Sequence, residues 1–159
     1  MSDYKSLLDL LQKYADLFDS LTENQEKKIQ AVKGYNNDVL NECMKKEQAD
    51  TLLLRGYDKK RLKLQEELSL GDMSFQEMLP NIPEEFQTEF VQMFRTLGDS
   101  YDAYKVSADC AKQLIELNIY RLSGAIEELK KKTNTASGEV YTADGSINPD
   151  NLSFRDMKI

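Results

Sequence analysis

From Phe86 to Leu129 the apolar positions recur with gaps that alternate between four and three: Phe90, Phe94, Leu97, Tyr101, Tyr104, Ala108, Ala111, Ile115, Asn118, Leu122, Ala125 and Leu129. A period of 3.5 keeps one narrow stripe of an α-helix turned toward a partner, and so predicts a heptad seam. Asn118 is the one strongly polar member and reads as a residue that sets register. No proline interrupts the run. A helix is expected from about Pro83 to Lys132, about 75 Å long if unbroken, with Gly98 the favoured place for a bend. Lys130, Lys131 and Lys132 complement the negative pole at its end. Around residue 114 the apolar face widens, because Leu114, Leu117, Ile119, Tyr120 and Ile126 flank the seam residues Ile115, Leu122 and Leu129. Most of this extra surface is expected to cover the other helices, the remainder being left for a partner.

A second seam, Tyr4, Leu7, Leu11, Tyr14, Phe18 and Leu21, predicts a first helix from about Asp3 to Lys33, capped by Ser2 or Asp3. Past Leu21 the pattern shifts to Gln25, Ile29 and Val32, which reads as a stutter. Gly34, followed by Tyr35, Asn36, Asn37 and Asp38, reads as a helix stop and a fresh cap; one helix continuing through Gly34 is the alternative. The next helix, about Asp38 to Leu70, carries the seam Leu40, Cys43, Glu47, Asp50, Leu54, Tyr57, Arg61, Leu64 and Leu68. Its polar members Glu47, Asp50 and Arg61 are expected at a solvated edge, with pairing across the bundle as the alternative. Between Gly71 and Pro83 the chain turns. Ser74 can cap a short helix carrying Phe75, Met78 and Leu79, and Pro80 and Pro83 prevent its continuation.

Thr133 to Ile159 has no sustained period and is rich in Thr, Ser, Asn, Gly and Asp. It reads as a flexible tail with isolated apolar anchors at Val140, Tyr141, Ile147, Leu152, Phe154 and Met157, in the manner of a docking peptide. The predicted fold is therefore all-α: three long helices in an antiparallel coiled-coil-like bundle over residues 1–132, with a flexible C-terminal tail over residues 133–159.

The 159 residues suit a single domain with a tail. A net charge of -7, from 28 acidic and 21 basic side chains, argues against nucleic acid as the main partner. The basic clusters Lys27-Lys28, Lys45-Lys46, Lys59 to Arg61 and Lys130 to Lys132 alternate with acidic ones and read as solvated helix faces. No apolar run approaches the ~20 residues that cross a bilayer, so no membrane insertion is expected. Met1 to Lys13 lacks the basic-then-apolar order of a secretory signal, and the chain reads as cytoplasmic.

The chain contains no histidine, which removes the commonest general base, the usual metal ligand and the usual pH switch. Cys43 and Cys110 make no CxxC pair and read as small core residues in a reducing compartment. There is no phosphate loop, GxSxG, HExxH or calcium-loop spacing. Asp144-Gly145 is a turn dipeptide. The pairs Glu66-Glu67, Glu84-Glu85 and Glu127-Glu128 are adjacent on their helices and point about 100° apart, so they do not converge on one substrate atom. A di-metal helical bundle would need an ExxH pair. Neither catalysis nor a metal or cofactor is expected.

Four segments in order, LLDLLQKYADLFDSL from Leu7, KKRLKLQEEL from Lys59, LIELNIYRLSGAIEELKK from Leu114 and VYTADG from Val140, resemble the FlgN-like flagellar export chaperones over roughly residues 3 to 147. The resemblance implies a protein that is not an enzyme. It implies cytoplasmic binding of the hook-associated proteins of the hook-filament junction, whose aggregation-prone terminal helices are held against premature assembly, and delivery of those clients to the flagellar type III export gate. On this chain the implied client surface is Leu114, Asn118, Leu122, Ile126 and Leu129, and the implied contact with the export apparatus is Tyr141. An amphipathic client helix would lay its apolar face along the widened stripe. The heptads also allow a homodimer, and a self-associating coiled-coil adaptor without a secreted client is the alternative function.

Overall fold

In the computed structural model, residues 2–133 are described and form four helices: α1 (Ser2–Lys33), α2 (Asn37–Glu67), α3 (Phe75–Met78) and α4 (Glu84–Thr133), with a 3-10 turn at Leu79–Asn81 before the last. No strand occurs among the described residues. The three long helices lie where the periodicity puts them, and the short capped α3 makes four rather than three. Apart from Thr133, the segment read as a tail lies outside the described residues.

Each break between helices has a local chemical cause. Past Lys33 the amide of Asn36 donates to the Ala31 carbonyl at 2.9 Å and that of Tyr35 to the Val32 carbonyl at 3.3 Å, so the last carbonyls of α1 are satisfied by a Schellman motif. The left-handed residue this motif requires is Tyr35, with φ of 53°, and not Gly34. The Asn36 side chain then accepts the Val39 amide at 3.2 Å and opens α2. Ser69, with φ of 60°, closes α2 in the same way, the Leu70 amide donating to the Gln65 carbonyl at 2.7 Å. Ser74 and Glu77 form a reciprocal capping box on α3. After Pro83, α4 runs for 50 residues through Gly98 without a break.

Pairing across the helices gives the topology. Tyr14 bonds Asp58 and Lys28 bonds Glu47, so α2 runs antiparallel to α1. Toward α4, Tyr4 stacks on Phe86, Phe18 meets Tyr101 and Tyr104, and Asn118 reaches Val32. These partners stay 82 to 86 positions apart along the whole of α1, so α4 runs parallel to it. The antiparallel arrangement expected of the bundle is found for α1 with α2; the α1–α4 pair is parallel because the chain reverses twice between them. α1 packs along both neighbours, while the backbones of α2 and α4 stay apart.

The lower part of this arrangement is apolar. Leu7, Leu11, Tyr14, Phe18 and Leu21 are buried together with Phe90, Leu97, Tyr104 and Ala108. Leu70, Phe75, Met78 and Ile82 close the end, Phe75 stacking on Phe94 with ring centroids 4.4 Å apart. Each leucine, isoleucine, phenylalanine and methionine among them contributes about 1.5–3 kcal/mol by leaving water.

Above Leu21 the interior becomes polar. The buried α1 positions are Asn24, Gln25, Lys28, Ala31 and Val32, so the seam proceeds through Lys28 without the expected stutter, and Ile29 is only half-buried. The partner helices carry the register through this stretch, and Glu47 makes a lysine tolerable there: Nζ and Oε2 are 2.9 Å apart, with side chains only 2% and 1% exposed. Lys28 therefore leaves the solvated face to which its cluster was assigned. Glu47, Asp50 and Arg61 are likewise buried rather than at a solvated edge. Lys46 holds Asp50 at 2.7 Å, and Arg61 donates to both Asp58 and Gln65. Gln65 in turn donates to the Gly71 carbonyl at 2.9 Å, tying the turn before α3 to the hairpin.

Candidate functional site

The offset that relates α1 to α4 places Lys33, the last residue of α1, opposite residue 119. α4 continues for another 14 positions, about 21 Å of helix with no α1 beside it. On the seam face of this stretch Leu122, Ile126 and Leu129 are 64%, 38% and 61% exposed. They continue the line of Ala108 and Ala111, both buried against α1, because residues three, four and seven apart share one helix face. The expectation that the widened stripe mostly covers the other helices is thus overturned. The stripe outruns the helix that would cover it.

The five residues proposed from sequence divide accordingly. Leu114 and Asn118 are half-buried at the top of the covered region, and Leu122, Ile126 and Leu129 lie on the uncovered part. Asn118 Nδ2 donates to the Val32 carbonyl at 3.5 Å, tying α4 to the last turn of α1 where the two helices separate. Tyr141 lies outside the described residues. Leu117 and Tyr120 are also exposed, but they project from the opposite side of α4.

Where α1 ends, an apolar groove of about 470 Å³ opens between the tip of the hairpin and α4. Val32, Tyr35 and Leu40 line one side and Ile115, Ile119 and Leu122 the other, with Arg121 at its polar margin. The sequence reading did not place Val32, Tyr35 or Leu40 in a site. They belong to different elements, and only the helix crossing brings them to α4. The structure itself marks the place: Tyr35, 79% exposed in the loop, is a bulky side chain at a left-handed position, a conformation that costs about 1–3 kcal/mol and clusters at binding sites.

Beneath the groove lies the polar layer. Besides the Lys28–Glu47 pair, Asn24 Nδ2 donates to the Cys43 carbonyl at 2.9 Å and Thr51 Oγ1 to the Glu47 carbonyl at 2.7 Å. Both amide atoms of Gln25 and Glu47 Oε1 are buried without a hydrogen-bond partner among the described residues, at about 1–3 kcal/mol each. Burial, and then the nearby Glu47 carboxylate, push the Tyr104 hydroxyl well above the usual phenol range. Burial and then Asp58 do the same for Tyr14, which donates to that carboxylate at 3.2 Å. The Lys28–Glu47, Asn24–Cys43 and Tyr14–Asp58 contacts hold α1 to α2.

Both cysteines are free. Cys43 is a core residue as expected, and burial raises its thiol pKa. Cys110 is exposed, because it falls between the seam positions Ala108 and Ala111. Among the described residues no group of His, Cys, Asp and Glu side chains could hold a metal ion, and no helix is long and apolar enough to cross a membrane. What the geometry offers is an apolar strip on one helix, continuous with a groove.

The family model for FlgN protein matches residues 1–149, nearly the whole chain. Comparison with curated proteins and with solved structures returns no match. Members of the matched family are chaperones and not enzymes, in keeping with a site built of apolar side chains. With its all-helical fold and an exposed stripe beside the hairpin tip, this chain belongs to the FlgN family of flagellar export chaperones.

Proposed function

We propose that this chaperone binds the terminal helices of hook-associated proteins in the cytoplasm, keeps them from assembling prematurely and delivers them to the type III export gate. One observation carries the reading: the seam of α4 continues beyond the end of α1 with Leu122, Ile126 and Leu129 uncovered. A 14-residue helix standing alone in water is marginal, and a second amphipathic helix laid along it would supply the missing packing. The client surface in this proposal is Leu114, Asn118, Leu122, Ile126 and Leu129. Residues 1–132 form the folded unit that presents this surface. Residues 133–159 act as the tail, with Tyr141 as the contact to the export apparatus.

The test is co-purification of the full chain with C-terminal fragments of hook-associated proteins, with light scattering to give stoichiometry. The expected result is a defined complex, lost in the double variant Leu122→Asp with Ile126→Asp while helical content by circular dichroism is unchanged. Undiminished client affinity in that variant would remove the proposed surface. Failure to bind any such fragment, together with a stable dimer of the free chain, would favour the self-associating adaptor, in which a second copy covers the stripe.

A further inference from the structure

We propose that the groove at the hairpin tip is occupied, in the absence of a client, by this chain's own segment from Val140 to Ile147. The docking itself is independent of the client reading; its consequence, competition with a client helix, rests on it. The groove is apolar and open where α1 ends, and its far side is the α4 helix, whose last residue, Thr133, is joined to this segment by residues 134–139. From Thr133 back to Ile119 is about 21 Å along the helix. Eight extended residues reach about 26 Å, so Val140 and Tyr141 reach the groove without any movement of α4. Ile147 supplies a third apolar anchor seven residues after Val140.

Charge agrees with this occupant. Residues 134–150 carry Glu139, Asp144 and Asp150 and no basic residue. The stretch of α4 they must pass carries Arg121 and Lys130 to Lys132 against Glu127 and Glu128, a local excess of positive charge on a chain whose net charge is -7. A second copy would bring the same basic helix end to the groove. The tether also sets the competition, since a segment joined by a short linker acts at millimolar effective concentration. The family match extends to residue 149, so the segment belongs to the matched region.

Cys110 makes the docking measurable in the full chain, being exposed and little more than one helical turn before Ile115, while Cys43 is buried. A nitroxide attached at Cys110 should broaden the amide NMR signals of Val140 to Ile147, and reduction of the nitroxide should restore them. The full-length variant Val140→Asp with Ile147→Asp should remove the broadening. Signals at 140–147 as sharp as those at 150–159 in the unsubstituted chain would overturn the proposal. Broadening of an isotope-labelled, nitroxide-free copy by a separate nitroxide-carrying copy would also overturn it, because the occupant would then be a second chain. A groove filled nine-tenths of the time weakens client binding about tenfold, and the double variant should recover that factor. Broadening with no client bound by any variant would leave the docking standing and remove the client reading alone.

Discussion

Phe90 to Ala111 and Ile115 to Leu129 are two stretches of one heptad on one unbroken helix, and they have opposite fates. In the first, Phe90, Leu97, Tyr104, Ala108 and Ala111 are buried; in the second, Leu122, Ile126 and Leu129 face water. Nothing in the spacing distinguishes them. The difference lies in the partner: α1 ends at Lys33, and the parallel register carries that end only as far as residue 119 of α4. A heptad states that a helix wants a neighbour and leaves open whether the same chain provides it. The lower stretch makes a fold, and the upper one makes a site.

The contrast can be broken at its strongest point by Phe90→Ala, which removes a fully buried ring from the lower core. The expected loss is about 3–5 kcal/mol, measured by urea unfolding with circular dichroism. A loss below about 1 kcal/mol would show that the lower stretch is no better packed than the upper.

Between the two stretches, Lys28→Met alone should cost about 3–5 kcal/mol, since it strands the Glu47 carboxylate in the interior. Lys28→Met combined with Glu47→Leu should recover that loss or exceed the parent stability, because a buried ion pair seldom outperforms well-packed apolar side chains. A double variant as unstable as the single one would mean that the pair makes a net contribution of its own. Two buried tyrosines of the lower core predict alkaline sensitivity. Tyr14 and Tyr104 have raised pKa values in the folded state, so both are neutral, folded or unfolded, at pH 7. Above pH 10, the ordinary tyrosine value, the unfolded chain loses protons that the folded chain keeps, and stability should fall as pH rises further. Tyr104→Phe should flatten that fall in unfolding curves taken at successive pH values.

The smallest effect belongs to the upper stretch. Leu129→Ala should change stability by no more than about 0.5 kcal/mol, because its side chain is already largely in water and lies outside the groove. A loss of about 2 kcal/mol or more would show that Leu129 is covered in the full chain, as it would be by a second copy.

The positions of the long helices could be read from sequence because a 3.5-residue period, a capping Ser74 and a helix-starting Pro83 are local statements about backbone geometry. Stops were readable in place but not in detail: Gly34 marked the end of α1, yet Tyr35 adopts the left-handed turn. Lys28 and Glu47 were misread as solvated, since a charge reveals its burial only when its partner on another helix is known; Arg61 is buried although Asp58 and Gln65, which accept from it, lie on its own helix. The candidate residues Leu122, Ile126 and Leu129 came from the family resemblance mapped onto the apolar stripe, whereas Val32, Tyr35 and Leu40 were not found, because they come from α1, the loop and α2.

By itself the sequence determined an all-helical chain with long apolar seams, no histidine chemistry and a segment of different character after Thr133. Only the tertiary structure decided that α4 runs parallel to α1, that an ion pair occupies the interior and that the upper third of the seam is left open. Periodicity is a property of one helix and is written in its residues. Coverage depends on where a second helix ends, and no stretch of the seam contains that information.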